Sequence, residues 1–451
     1  MRTFPNSNLV RKIRAVPSRC LPLWLVGALL AACGGPNAGV DASEDTSPYI
    51  LIFAGDKDGK DSDFLAMIDV DPESDTRGEA IISTPINHRS SMPHHMEYVP
   101  PPNGEPIFLN AHHPEQSFVV QASVSNGINI EASFSPPASL RFPHDYTRTP
   151  TGTRLVGFLR GVGKSPDPEE KLTPGNHGGI AEYSVDGELL RSVSAAVPGL
   201  TKAVRPYAFA LLPDQDRFIV TSAPMMEKSW AEVVQIYRYS DFELLHTIPL
   251  PIGEFPDGTA IKNDPAAGFG PRVLDDGSVF LNSYSCAFYH LTHIASDAPQ
   301  LNVVHGLKTK PSAHRNAIPG ACGIPFRIGQ YWIQPAGELN AVVVLDILDP
   351  KSPKEVFRLA TPKDFNPHWL AKDPLADRLI LGAELGGEQG FFILRFDRKT
   401  GSLSFDKSFR GAKKSRFFSK KRDGYISLEK KEWPHGSTGY AWGHAALFLN
   451  E

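Results

Sequence analysis

The sequence predicts an all-β fold, a seven-bladed β-propeller closed by pairing between its N- and C-terminal strands. Three observations predict it. Short β-branched or aromatic runs bounded by Gly, Pro, Asp and Asn dominate the chain. Stretches with a 3.6-residue apolar period are scarce. A Pro-X element also returns along the chain at a spacing of roughly 40 to 65 residues, a period that belongs to blades and not to a sandwich.

The strand-like runs are "YILIFAG" from Tyr49, "DFLAMIDV" from Asp63, "RFIVTSA" from Arg217, "VVQIYRY" from Val233, "AVVVLDI" from Ala341, "RLILGAE" from Arg378 and "GFFILRFD" from Gly390. The repeat is clearest in "MPHHMEYVPPPNGEPIFLNA", "FPHDYTRTPTGTRLVGFLRG", "RPYAFALLPDQDRFIVTSAP" and "NPHWLAKDPLADRLILGAEL". Each runs from Pro-X through a short segment and a turn into a hydrophobic strand. Weaker copies begin at Phe255 ("FPDGTAIKN") and Cys322 ("CGIPFRIGQYWIQPAG"), and a last anchor is "WPHGS" at Pro434 and His435. Little chain remains after that anchor, so the outer strands of the last blade must come from elsewhere. The runs between Tyr49 and Val70 are available, which joins both termini in one blade and leaves only short sheet edges.

The chain start carries Arg2, Arg11, Lys12, Arg14 and Arg19, then the apolar run "LPLWLVGALLAA" from Leu21 to Ala32, too short to span a bilayer as a mature helix. Residues 1–32 are expected to be a lipoprotein signal peptide. "LAAC" ending at Cys33 resembles a bacterial lipobox, which implies cleavage before Cys33 and acylation of its thiol. Residues 33–47 then form a polar tether, and 48–451 one propeller domain. Gly34-Gly35, with no Asp after the cysteine, points to the outer membrane facing the periplasm. Losing five basic and no acidic residues takes the formal charge from −4 to −9, which argues against a nucleic-acid partner. The membrane would be met through the lipid anchor only. Cys286 and Cys322 remain, and in an oxidising compartment they are expected to form one disulfide.

In a propeller the innermost strand of each blade lines the central channel, so a residue fixed at its start in several blades converges on one axis. Proline suits a strand start because it cannot donate to a ladder. His94, His144, His368 and His435 are therefore expected at one mouth, with His95 beside them and Tyr207 at the equivalent place in its own copy. Neutral imidazoles in a cluster are natural ligands of a transition metal, and copper has the highest intrinsic affinity among the divalent ions. The alternative is structural: Pro-His as a repeat consensus whose imidazole bonds a backbone carbonyl of the neighbouring blade. Among the other histidines, His444 could enter the same mouth, His112 and His113 read as a loop, and His290 and His293 read as surface or core.

"DFLAMIDVDPESDTRGEAI" from Asp63 to Ile81, followed by His94-His95, resembles the early signature of the selenium-binding protein family, which includes methanethiol oxidases. "NPHWLAKDPLADRLILG" from Asn366 to Gly382 is similar to that family's late repeat. The resemblance implies a seven-bladed propeller, histidine-bound copper, and oxidation of methanethiol to formaldehyde, hydrogen sulfide and hydrogen peroxide. It also makes His94 and His95 the best-matched ligands, with His144, His368 and His435 following through the repeat. Family members carry a cysteine-rich segment after the His-His pair. Here "MEYVPPPNGEPIFLNAHHP" contains no cysteine, which argues against selenium or thiol chemistry at that place.

The expected activity is thus a copper-dependent oxidase acting on a small, sulfur-containing molecule, with no residue assigned as acid or base. Two other readings fit the same residues: a non-enzymatic binding or scaffold propeller with an unspecified protein partner, and a metal-binding protein without turnover. "DKDGKDSD" from Asp56 lacks an acidic residue at the twelfth position of a calcium loop and reads as a hairpin turn. The Lys- and Arg-rich stretch from Lys407 to Lys431 reads as a solvated loop.

Overall fold

Seven antiparallel sheets, each of four or five strands, form the blades of a β-propeller. The computed structural model describes residues 45–164, 176–225, 227–251, 266–308, 321–363, 365–384, 390–409 and 422–449. The expected signal peptide 1–32, Cys33, most of the expected tether, the Phe255 anchor and the centre of the basic stretch lie outside these residues. Among the described residues there is no α-helix, only single turns of 3-10 helix at Pro102–Gly104, Pro213–Gln215 and Gly337–Leu339.

Position within a blade explains the hydrophobic pattern. Inner and middle strands pack on neighbouring blades with both faces, so Phe64–Asp69, Ile107–Ala111 and Arg378–Ala383 are buried at every residue and read as continuous apolar runs. Outermost strands meet solvent, and Gly127–Phe134 and Lys354–Ala360 are mostly exposed or half-buried.

The ring closes as expected, with one difference. Thr438–Leu449 pairs antiparallel with Tyr49–Asp56, from Tyr49 opposite Leu449 to Asp56 opposite Ala441, and Phe64–Asp69 and Ala80–Pro85 complete the blade. The inner strand of this blade is therefore Thr438–Leu449. Pro434 and His435 belong to the turn that links it to the short Glu429–Glu432 strand. A second difference falls in the fourth blade, whose inner strand is Gly268–Val273, with glycine where the frame called for proline. Residues 56–63 form the loop of a hairpin, as read.

A buried clamp ties the start of the described chain to the sixth blade. Ser47 donates through its backbone N and Oγ to Asp373, at 3.1 and 2.6 Å. Arg378 donates to the Ser47 carbonyl at 2.6 Å and to Asp373 at 2.8 Å, and both charged side chains are fully buried. Cys286 and Cys322 are joined by a disulfide, which links the fourth blade to the entry of the fifth.

Candidate metal centre in the propeller channel

Apart from Phe326–Ile328 of the fifth blade, the described inner strands share a defect that aims their side chains. The pairing register slips between Pro93 and Met96, Pro143 and Tyr146, Pro206 and Phe209, Gly268 and Pro271, and Pro367 and Trp369. An equivalent slip in the closing blade lies opposite Gly443 to Ala446. A bulge leaves the strand locally bent and its extra residue unpaired, which re-aims the side chain that follows the proline or glycine.

Bulges also strand backbone polar groups, and these need partners. Asn110, on the second strand of the first blade, accepts from the His95 N–H at 2.9 Å and donates to the Pro143 carbonyl of the next blade. Asn282 accepts from the Gly270 N–H at 3.0 Å and donates to the Gly323 carbonyl at 3.1 Å. Thr221 donates to the Phe269 carbonyl at 2.8 Å. At Gly157 and Gly382 the next blade comes closer instead: an added Cβ would lie 2.9 Å from the Pro206 carbonyl oxygen and 2.7 Å from that of His444.

The result is a cluster of imidazoles on the axis. His94, His95, His112, His144, His368 and His444 are each at most 4 % exposed. The rings of His94 and His95 stack at 4.1 Å, and His94 stacks on His444 at 4.5 Å. His95 lies 4.1 Å from His144, and His368 lies 4.9 Å from His444. Tyr207, at the equivalent place in the third blade, packs 4.0 Å from His144, and Phe269 continues the ring in the fourth.

Protonation follows from the surroundings. Burial and the neighbouring imidazoles push His94, His95 and His112 well below the ordinary histidine range, and burial takes His144 down to about 3. The His144 Nδ1 lies 2.9 Å from the Tyr207 carbonyl oxygen, which can only accept, so Nδ1 carries the proton. Its Nε2 then holds a lone pair, 3.2 Å from the His94 Nε2. A backbone carbonyl fixing the tautomer through one nitrogen while the other faces inward is the usual support of a metal-ligating histidine. The structural role weighed for Pro-His and a ligand role thus use different atoms of one ring.

The donor set fits a transition ion. Both nitrogens of His95 and of His112, and Nδ1 of His94, are buried with no hydrogen-bond partner. One nitrogen from each of His94, His95 and His444 lies within 4.8 Å of the others. Metal–nitrogen bonds of about 2.0–2.1 Å hold two ligands roughly 2.9–3.4 Å apart, and the His94–His144 separation falls in that span.

His435 is a correction. It sits half-buried in its turn, with Nδ1 2.6 Å from Ser83 Oγ and Nε2 2.6 Å from Ser437 Oγ, packed on Phe64 and away from the axis. The physical reason is that its proline stands in a turn and not at the start of an inner strand. His444 takes the blade's place on the axis, behind Gly443. His112 is a second departure: it joins the cluster 4.3 Å from His94 and not a surface loop.

Sequence reasoning passed over a polar group beside the histidines. Asp145 is fully buried, and burial pushes its carboxyl up to about 6. Tyr98, whose phenol burial raises well above its ordinary range, stacks on Trp369 at 4.9 Å. Arg272 covers the Tyr98 ring at 5.1 Å. Asn110, Thr221 and Asn282 were also missed, although "FLNA", "IVTS" and "FLNS" place a polar side chain and then a small residue at the end of each second strand.

Fold and site together define a seven-bladed propeller with buried histidines on its axis. No protein-family model and no curated protein sequence matches the chain. Among solved structures, the chain is similar to a hypothetical selenium-binding protein from Sulfolobus tokodaii, at 12 % identity and a TM-score of 0.66, covering 90 % of this chain and 94 % of that one. It is also similar to a periplasmic gluconolactonase from Pseudomonas aeruginosa, at 13 % identity and a TM-score of 0.54, covering 88 % and 99 %. A putative 6-phosphogluconolactonase from Bacteroides uniformis matches at 11 % identity and a TM-score of 0.54, covering 85 % and 98 %. At these identities the likeness shows the propeller fold.

Proposed function

We propose that this protein is a copper-dependent oxidase of the cell envelope that acts on a small, sulfur-containing molecule. The observation that carries the reading is the convergence of buried imidazoles, among which both nitrogens of His95 and of His112 and the Nδ1 of His94 lack partners. An unpaired buried polar atom costs about 1–3 kcal/mol, so several of them gathered at one point call for a bound group. His94, His95, His144 and His444 would hold it, with His368 and His112 adjoining. Copper bound there supplies one-electron chemistry between a reduced sulfur substrate and oxygen. The chain's own part is to keep the imidazoles neutral, to fix the His144 tautomer through the Tyr207 carbonyl and to exclude bulk water. The structural likeness to a hypothetical selenium-binding protein agrees with the sequence resemblance that suggested the activity.

Metal analysis of the purified protein tests this directly. The expected result is near-stoichiometric copper, lost in the His94→Ala, His144→Ala double variant and retained in His435→Ala. Methanethiol should drive oxygen uptake with hydrogen peroxide as a product. Protein without metal, or with copper unaffected by the double variant, sinks the reading. The near-complete burial of the cluster favours one second reading, metal held without turnover, which copper-loaded protein lacking oxygen uptake with methanethiol would select.

A further inference from the structure

The segments that deliver His94, His95 and His368 to the axis also deliver a phenol and an indole, Tyr98 and Trp369. Their rings stack at 4.9 Å, 20° from parallel. The Trp369 ring lies 5.2 Å from that of His95 and 6.3 Å from that of His444, and Tyr98 meets His95 edge-on at 6.3 Å. Trp369 is fully buried and fixed by donation from its Nε1 to the Ala446 carbonyl at 2.9 Å, whereas Tyr98 is half-buried. An unbroken run of ring contacts therefore leads from the imidazoles through the indole to the phenol. These are the protein ring systems that lose an electron most readily.

A phenol that loses an electron becomes strongly acidic, so its oxidation is easy only where the proton has an acceptor in place. The Tyr98 hydroxyl hydrogen-bonds the Asp145 carboxylate. Asp145 is itself held, its Oδ2 accepting from the Phe209 N–H at 3.2 Å and from Thr147 Oγ1 at 3.4 Å. Arg272 donates through its two Nη atoms to the Pro271 and Pro325 carbonyls at 2.8 and 2.7 Å, which fixes the guanidinium 5.1 Å over the Tyr98 ring. A fixed cation opposes positive charge on that ring, so the electron leaves together with the proton and the product is the neutral phenoxyl.

We propose that Tyr98 is a second one-electron redox centre, coupled through Trp369 to copper held by the histidines. Stoichiometry supplies the need: one copper ion exchanges a single electron, whereas oxidising a thiol and reducing oxygen to peroxide each move two. In the first half-reaction the thiol, oxidised with water to aldehyde and sulfide, gives one electron to Cu(II) and one to the Tyr98 phenoxyl. Of the two protons set free, one rebuilds the Tyr98 O–H bond and the other leaves to solvent. In the second, Tyr98 returns one electron and its proton, the latter through Asp145, while Cu(I) returns the other electron and solvent the other proton. Oxygen thereby gains the two O–H bonds of hydrogen peroxide, and Cu(II) and the phenoxyl are restored. This role rests on the oxidase reading; the oxidisability of Tyr98 does not.

The test has two arms. Metal-free protein is photo-oxidised with ruthenium tris-bipyridine and persulfate and followed by electron paramagnetic resonance. A persistent tyrosyl signal should form in the wild type and be lost in Tyr98→Phe and in Asp145→Asn, which keeps a polar partner for the phenol but removes the proton acceptor. Copper-loaded protein is then oxidised with hexachloroiridate(IV), desalted and titrated anaerobically with dithionite. The wild type should take up about two electrons per copper and each variant about one, at wild-type copper content and urea midpoint. A persistent signal unchanged in folded Tyr98→Phe, or uptake of a single electron per copper by the wild type, overturns the proposal. Copper uptake without the Tyr98 signal overturns this role alone, whereas protein that takes up no copper overturns the metal reading and this role with it.

Discussion

Lowering the pH should destabilise the metal-free protein far more than burial of ordinary side chains predicts. His94, His95, His112 and His144 are held neutral in the fold, whereas the unfolded chain protonates them below about pH 6.5. The unfolded state then binds more protons, so stability present above that pH is lost as the pH falls. Between about pH 7.5 and about pH 5.5 each such imidazole costs about 1.4 kcal/mol, and the four together about 5–6 kcal/mol. Asp145 works in the opposite direction. Its carboxyl, raised from 3.8 to about 6, takes a proton in the folded state first, which offsets about 1 kcal/mol. The net loss is about 4–5 kcal/mol, a large fraction of the roughly 5–15 kcal/mol that a folded protein has. Urea unfolding of chelator-treated protein, followed by near-ultraviolet circular dichroism across this window, measures it. A stability that changes by less than about 1 kcal/mol would refute the claim that these imidazoles are buried and neutral. Copper-loaded protein should start more stable at neutral pH and converge on the metal-free curve as protons displace the metal.

Two further outcomes follow from the framework around the site. Asp373→Ala leaves the Arg378 guanidinium buried without its carboxylate and releases Ser47, and should cost about 3–5 kcal/mol in urea unfolding; a loss under about 1 kcal/mol would contradict the clamp. Cys286 and Cys322 should give no free thiol in denatured, unreduced protein, and replacing both by alanine should cost about 2–4 kcal/mol. Two titratable thiols in a chain that lacks Cys20 and Cys33 would refute the pairing.

Much of this was legible in the chain because a propeller writes its geometry as a repeat. The interval from His144 to Val156 equals that from His368 to Ile380, and in the structure both prolines stand in inner strands directly before a register slip, Pro367 as the first residue and Pro143 as the fourth. Where the local chemistry departed from the consensus, the frame misread it. His435 has the right spelling and the wrong place, because proline opens turns as readily as strands. His444 has the right place and the wrong spelling, since Gly443 lets the backbone bend there without a proline. His112 was hidden for another reason: "AHHPEQ" resembles a surface turn, yet backbone bonds from His112 to the Ser91 carbonyl at 2.9 Å draw its ring inward beneath His94.

The sequence by itself determined the blade count, the closure by both termini and the convergence of several histidines, because period and alternation are local properties that neighbouring residues enforce. Only the tertiary structure decided which histidines meet. That depends on which strand is innermost in each blade and on where its bulge falls, and these are set by pairing between residues as far apart as Tyr49 and Leu449. The polar group of Tyr98, Asp145 and Arg272 is of the same kind. Two of its members lie in copies of the Pro-His repeat and Arg272 lies outside them, and only closure of the ring brings a phenol, a carboxylate and a guanidinium to one point beside the imidazoles.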